Sequence, residues 1–385
     1  MTPKERAVRL FLCLLVVLAG PASAEIEAGF DGYADLRLVA PGRETSWLKG
    51  GLGKLRYGAG DDAAQLAALF GQGYVRFTPN LTLVASLRVE QRQRTFADPI
   101  EAYLNYAPDG TEHWSWSLKT GAFFAPFSLE NTELGWTSYW TLTPSAIDSW
   151  FGDELRTVGS EATVAWTGDR GTLTMMAAGL GLNQPAGVMM AERGWSMDDR
   201  PTGLFDRLAT PDGDRTPIFK QFDGRIGWYA GVSWDDNSRW HIELIRYDND
   251  ANPRAHEDDY FAWHTRFWDS GASARFGDFA VLAQGLSGST TIDDAAPLTT
   301  RFDSAYLLLG WERGAWRLGL RGDVFHTHTP GAVDESENGH AVTASVAWEP
   351  KDWFRLTGEV LSLSADRDGN RDETQFQLSA RFYLQ

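Results

Sequence analysis

Apolar and polar residues alternate with a period of two along most of this chain. In Phe30–Ala40 one face carries Phe30, Gly32, Ala34, Leu36, Leu38 and Ala40, and the other carries Asp31, Tyr33, Asp35, Arg37 and Val39. Leu81–Glu90 sets Leu81, Leu83, Ala85, Leu87 and Val89 against Thr82, Val84, Ser86, Arg88 and Glu90. The scheme recurs over residues 100–106, 114–123, 224–234, 316–325, 342–348 and 376–384. Half-buried β-strands alternate in this way, and no convincing amphipathic helix interrupts them.

The connections come in two lengths that take turns along the chain. Short turns fall at 78–80, 107–113, 168–171, 235–239, 277–278, 313–315 and 349–352. Longer polar connections fall at 91–99, 125–157, 183–221, 249–259, 288–300, 327–339 and 365–373. This sorting predicts an all-β fold, a closed antiparallel transmembrane β-barrel, whose strands need only ~9–11 residues to cross a bilayer. A soluble β-sandwich would explain the alternation but not the sorting. Nor would it explain aromatic residues near strand ends, such as Trp114, Trp116, Trp228, Trp234, Trp316, Trp348 and Phe382, which suit the interfacial girdles of a barrel. Seventeen segments qualify as strands, whereas a single-chain bacterial barrel takes an even number. The weakest, Trp47–Gly58 (WLKGGLGKLRYG), is glycine-rich and poorly alternating. Setting it aside gives sixteen strands, with eighteen as the alternative. TQFQLSARFYLQ reads as the last strand for the barrel assembly machinery, although it ends in Gln385 rather than an aromatic residue.

The first residues decide the compartment. MTPKERAVRLFLCLLVVLAGPASAE has a basic start (Lys4, Arg6, Arg9), a short apolar run and an Ala22-Ser23-Ala24 cleavage site. Residues 1–24 therefore read as a secretory signal peptide, too short in its apolar run for a membrane anchor, and 25–385 as the barrel. Cys13, the only cysteine, lies in that run with no lipobox, so neither a lipoprotein, a disulfide nor a Cys-ligated metal is expected. Removing three basic residues and one acidic one with the leader takes the formal charge from −17 to −19. So acidic a protein repels phosphates and is not expected to bind nucleic acid. The expected location is the outer membrane of a Gram-negative bacterium, with outer-membrane lipid as the surrounding partner.

If the apolar faces meet lipid, the opposite faces meet the lumen. By parity these carry Arg37, Arg76, Arg88, Lys119, Arg225, Arg275, Arg317, Arg321, Arg355 and Arg381, together with Asp31, Asp35, Glu90, Glu101, Asp323 and Glu359. An Arg or Lys on the lipid face at mid-depth costs ~2–4 kcal/mol, so the inward placement is partly forced. One reading is a wet, mutually compensated interior. The other is a basic wall, ten against six, that favours anions. The acidity of the chain is then assigned to surface loops, including Asp198-Asp199 and Glu257-Asp258-Asp259.

LKTGAFFAPFSLEN (118–131) starts as a strand, assigned as the sixth, and stops at Pro126, which has no ladder donor. The stretch beyond this proline is too long and too aromatic for a flexible surface loop. Residues 125–157 are expected to fold into the lumen as a constriction, packing through Trp136, Tyr139, Trp140, Trp150 and Phe151. Polar contacts would come from Glu130, Glu133, Asp148, Asp153, Glu154 and Arg156. An outward loop packed on its neighbours is the alternative.

EAYLNY (101–106), LKTGAFFAPFSLEN and TELGWTS running on to Gly159 together resemble the phosphate-selective porin O and P family. The resemblance implies an outer-membrane barrel, often trimeric, with an inward-folding loop and basic pore residues. It assigns the constriction to 125–157 and a basic wall role to Lys119.

Other motifs carry less. Asp366–Glu373 is loosely like a calcium loop, but its glycine and distal Glu are misplaced. His326 and His328 flank Thr327 at a strand end and read as the base of a loop rather than a metal site. No G-x-S-x-G elbow supports an outer-membrane hydrolase. A plugged cargo receptor is disfavoured for want of a domain before the first strand. The sequence thus points to a porin for passive diffusion of small anions or other small hydrophilic solutes, without cofactor, metal or enzymatic activity. The competing reading is a channel selective for an organic solute stacked on Trp136, Tyr139 and Trp140.

Overall fold

Sixteen strands pair antiparallel, each with its neighbours in the chain, and close into one barrel. The computed structural model describes residues 26–90, 97–211, 213–236, 239–293, 296–331 and 335–384; the proposed leader lies outside them. The strands are β1 (Glu27–Ala40), β2 (Ala64–Thr78), β3 (Leu81–Val89), β4 (Ala97–Tyr106), β5 (Trp114–Phe123), β6 (Thr157–Gly168), β7 (Gly171–Gly181) and β8 (Gly227–Asp235). They continue with β9 (Trp240–Asp248), β10 (His264–Phe276), β11 (Phe279–Asp293), β12 (Pro297–Arg313), β13 (Trp316–His328), β14 (Glu337–Lys351), β15 (Phe354–Ala365) and β16 (Arg371–Leu384). Register from Gly32↔Leu384 to Ala40↔Phe376 joins β1 to β16 and leaves no free edge.

Alternation sets the faces as expected. Leu36 and Leu38 are exposed outward while Asp35 and Arg37 beside them are buried, and Leu320 is exposed beside a buried Arg321. At the short-turn rim Trp316 and Trp348 lie 6.2 Å apart and Phe354 and Phe382 5.2 Å apart, part of an outward aromatic band. Trp228, Trp268 and Phe376 are exposed toward the long-loop end.

Trp47–Gly58 is not a strand. It belongs to an inward excursion between β1 and β2 with a single 3-10 turn, Trp47–Lys49, capped by Ser46. Without it, Leu118–Phe123 falls on the fifth strand, not the sixth. The long connection expected at 288–300 is also corrected, because β11 runs to Asp293 and β12 starts at Pro297. Beyond the membrane both faces of a ladder meet polar surroundings, so alternation fades while pairing continues. Thr residues there bond across strands instead, Thr291 to Thr299 at 3.0 Å and Thr265 to Thr290 at 2.8 Å.

The wall is uneven. β3 to β9 have 9 to 12 residues, whereas β10 to β16 have 12 to 17. The two longest excursions, 124–156 and 182–226, leave the low wall, and 41–63 precedes it. All three turn inward and lean on the tall wall.

That interior corrects the expectation of a wet lumen throughout. Phe127 packs edge-on against Tyr229, Tyr247 and Phe267, with ring centroids 5.5, 5.7 and 5.1 Å away. Phe151 meets Phe267 at 4.7 Å, Phe302 at 5.0 Å and Trp195 at 5.6 Å. Met189, Met190, Met197 and Ile147 are fully buried in the same cluster. Inward positions of the tall wall are accordingly apolar where a segment covers them: Phe302, Leu308 and Phe325 are at most 1% exposed. Fully burying one such side chain stabilises by ~1.5–3 kcal/mol, which is what holds the segments inside.

Candidate pore interior

The second inward segment, 124–156, starts where β5 loses its ladder at Ala125-Pro126. It forms a small ladder of Asn131–Glu133 with Thr137–Ser138 and a wide helical turn over Asp148–Gly152. Its fastener is Arg321 on β13, fully buried. That guanidinium donates to Glu130 at 2.9 Å, Asp323 at 2.9 Å, Thr141 Oγ1 at 3.1 Å and the carbonyls of Thr143 and Pro144 at 2.9 Å each. Glu359 on β15 accepts from the backbone N–H of Leu142 at 2.6 Å and Thr143 at 3.1 Å. Gln284 on β11 donates to the Phe127 carbonyl at 2.8 Å, and Gln377 on β16 to Thr143 Oγ1 at 3.1 Å.

The aromatic residues of this segment are packed rather than presented. Trp136, at φ +56°, stacks on Phe124 with centroids 4.7 Å apart. Tyr139 donates to Glu312 at 2.5 Å and lies under the Arg317 guanidinium, 3.3 Å from ring centre to Cζ. Trp140 is 4% exposed and fills a niche left by two glycines paired across β12 and β13, Gly310 and Gly319. A Cβ at Gly310 would sit 2.6 Å from the Trp140 ring, and one at Gly319 would sit 2.8 Å from its carbonyl oxygen. Gly310→Val should therefore cost ~1–3 kcal/mol by overpacking. Gly322→Val, where a Cβ meets nothing within 4 Å, should cost almost nothing. Denaturant unfolding in detergent separates the two, and equal midpoints would remove the niche.

Each of the ten basic residues taken from parity has an acidic partner. On the wall, Arg37 pairs with Asp35 at 2.8 Å and Asp199 at 2.5 Å, and Arg381 with Asp35 at 3.0 Å. Arg88 pairs with Glu90 at 2.6 Å, and Arg321 with Glu130 and Asp323. Toward the short-turn mouth, Arg355 meets Glu349 at 2.7 Å and also Glu133, while Arg317 meets Glu133 and Glu349 at 3.5 Å each. Arg275 meets Glu312 at 3.6 Å. Lys119 is 3.8 Å from Glu161 and lies over the rings of Tyr103 and Phe123. Two residues stand apart from the rest. Arg76 is exposed at the short-turn rim with Glu27 at 2.6 Å. Arg225 is not on a strand; it precedes β8 in the third segment, half-exposed, 3.8 Å from Asp223. Parity carried too far into a connection caused that error.

The third segment, 182–226, holds residues that parity could not find. Asp198 and Asp199, read as surface-loop acids, are inside the barrel and buried. Asp199 joins Arg37 and Arg56, and those two arginines hold its carboxyl well below the usual carboxylate range. Arg156 donates to the carbonyls of Ile100 at 2.9 Å, Asp153 at 2.8 Å and Thr202 at 2.6 Å, tying β4 to the second and third segments. Lys54 of the first segment reaches Glu337 at 2.6 Å, which also accepts the Trp195 N–H at 2.9 Å. The length that marked 125–157 as inward also marks 183–221, but with Trp195, Phe205 and Phe219 alone the aromatic signal there is thin.

Where the second and third segments meet, four carboxyls are buried together: Asp148, Asp153, Glu154 and Asp198. Burial, then mutual repulsion, pushes Asp148, Asp153 and Asp198 well above the ordinary range. Burial raises Glu154 to about 7, opposed by bonds from Thr202 and the charge of Arg156. Among the described residues no group of three His, Cys, Asp or Glu side chains is arranged to hold a metal ion. His326 bonds Asp303 at 2.8 Å, with both side chains exposed near the outer end of the wall.

No protein-family model matches the chain, and no curated protein matches it. Solved structures of outer-membrane barrels do match its fold. The outer membrane channel DcaP of Acinetobacter baumannii is 10% identical, covers 95% of this chain and 99% of its own, and superposes with a TM-score of 0.57. An anion-selective porin from Comamonas acidovorans is 13% identical over 94% of this chain and 100% of its own, at 0.56. OmpT of Vibrio cholerae, an outer membrane protein described in a trimer form, is 9% identical over 94% and 100%, also at 0.56. At these identities the likeness establishes the sixteen-stranded closed barrel they share.

Proposed function

We propose that this chain is an outer-membrane porin of a Gram-negative bacterium, passing small hydrophilic solutes or ions, and not an enzyme. The observation that carries the reading is a closed barrel with an apolar, aromatic-rimmed outer face and a charged inner wall fastened to inward-folded segments. Barrels of this size enclose a channel rather than only side chains. Its fold likeness to a channel and to an anion-selective porin supports the same reading, and the trimer form of one neighbour supports a homotrimer.

In this reading residues 125–157 form the constriction, as the resemblance to the O and P porins implies, and 182–226 shares that role. The wall arginines hold the constriction in place rather than forming a bare anion ladder, because each is matched by a carboxylate. Phosphate selectivity of the O and P kind therefore has little support along the wall. Any anion bias rests on one cleft at the long-loop end, where Lys49, Arg56, Arg200, Arg207 and Arg215 face Asp61, Glu90 and Asp206.

Planar-bilayer recording in a potassium chloride gradient tests both parts. The expected result is discrete channel steps with a modest reversal potential toward anions. Absence of steps from a correctly folded barrel would sink the porin reading. Strong cation preference would remove the anion element alone.

A further inference from the structure

At the long-loop end a cavity of about 320 Å³ opens between the first and third inward segments and the outer ends of β2 and β3. Its size is at the lower end of the usual range for small-molecule sites, ~300–1,000 Å³. Five basic side chains line it, Lys49, Arg56, Arg200, Arg207 and Arg215, against three acids, Asp61, Glu90 and Asp206. The acids are already committed. Glu90 takes Arg88 at 2.6 Å, Arg56 at 3.0 Å and Arg200 at 3.2 Å. Asp206 takes Arg200 at 2.6 Å, and Asp61 takes Lys49 at 3.1 Å. The Arg207 guanidinium reaches the Tyr260 hydroxyl, at 3.4 Å. Among the described residues neither Arg207 nor Arg215 has a carboxylate within ion-pair distance. Leu48, Tyr57, Leu208 and Ala209 add apolar surface, with Gln65 beside them.

We propose that this cleft binds a small organic monocarboxylate, its carboxylate toward Arg207 and Arg215 and its hydrocarbon against Leu48, Leu208 and Ala209. A guanidinium matches a carboxylate in geometry as well as charge. A monoanion suits the surplus of two positive charges, whereas the three lining acids repel a more highly charged anion. A fully hydrated inorganic anion would leave Leu48 and Leu208 without a partner. The stacking site expected on Trp136, Tyr139 and Trp140 is displaced to this cleft, since those rings are engaged by Phe124, Arg317 and Gly310. The proposal names the solute class of the porin reading and rests on that reading for transport, though not for binding.

The test is isothermal titration of the full-length protein in detergent with sodium benzoate. Inorganic phosphate and benzyl alcohol are titrated in parallel. Saturable benzoate binding is expected, with phosphate and benzyl alcohol each weaker by roughly tenfold or more. Arg207→Gln with Arg215→Gln, two exposed positions, should weaken benzoate by a similar factor while the barrel stays folded. Ala209→Trp, which fills the cleft without changing its charge, should do the same. No saturable binding, equal binding by the variants, or phosphate binding as well as benzoate would overturn the proposal. Bilayer recording separates it from the function above. Channel steps without benzoate binding leave a porin that lacks this site, and benzoate binding without steps leaves the site in a barrel that does not conduct.

Discussion

Arg321→Met should release the second inward segment from the wall and enlarge the conducting path several-fold. The guanidinium it removes is fully buried and donates to two carboxylates, two hydroxyls and two carbonyls. Methionine has comparable length but no donor, so buried Glu130 keeps only the Ser145 N–H at 2.6 Å, and Asp323 keeps only a backbone bond from Ala146, with no cation to answer either. Breaking one partner of a buried charge network costs ~3–5 kcal/mol. The β13 ladder itself loses nothing, because the side chain, not the backbone, is changed. The loss therefore falls on the segment, whose 128–149 stretch should become sensitive to protease while the barrel keeps its heat-modifiable mobility on gels. Lysine should not rescue, since one ammonium cannot span the same acceptors. Unaltered conductance and unaltered proteolysis would show that Arg321 is not the fastener.

The second large effect is on pH. Asp148, Asp153, Glu154 and Asp198 are all raised by burial, Glu154 to about 7. A carboxyl raised in the folded state holds its proton over a range where the unfolded chain has lost it. Stability is then fully present in acid and declines as pH rises from the ordinary value of 4.5 through about 7. For Glu154 alone the full difference is ~3 kcal/mol, or roughly two orders of magnitude in the ratio of packed to loosened segments. Arg156 and Arg200 face these groups and soften the effect, while Glu130 adds to it at Asp148. Asp199 behaves in the opposite sense, but its depressed range lies in strong acid, outside this window. Conductance should thus be lowest near pH 5 and rise toward pH 8. Glu154→Gln and Asp148→Asn should flatten the curve at its low, acid-side value. A profile that falls with pH, or one untouched by both amides, would rule out the buried carboxyls as the titrating groups.

Strands with a lipid face were legible in the sequence, because one side of each must be apolar whatever the other side does. Trp316–His328 shows it clearly, with exposed Leu318, Leu320 and Val324 between buried Arg317, Arg321 and Asp323. The inward side was legible only where water or ions meet it. Leu307, Leu308 and Leu309 give no parity signal, since Leu308 faces a segment arriving from more than a hundred residues away. The same distance hid the site. Arg37 and Asp199 are 162 positions apart, and Arg321 and Glu130 are 191. Local spacing has no means of pairing them. The inward turn of 125–157 was readable because a proline ended a good strand and rings came after it. The excursions at 41–63 and 182–226 lack so sharp a boundary. Their buried residues, Lys54, Arg56, Arg193 and Trp195, looked like ordinary loop composition.

The uneven wall bears on biogenesis. The inward segments all precede residue 227, yet many of their partners are on β10 to β16, which are made last. Arg321, Glu337, Glu359 and Gln377 do not exist when 41–63, 124–156 and 182–226 leave the ribosome. Contacts at such separations are slow to form. The apolar faces around Phe127, Phe151 and Trp195 must therefore wait uncovered until the C-terminal strands arrive and β16 meets β1. Filling of the lumen becomes the final event of assembly, and protection of those three rings is a natural clock for barrel closure.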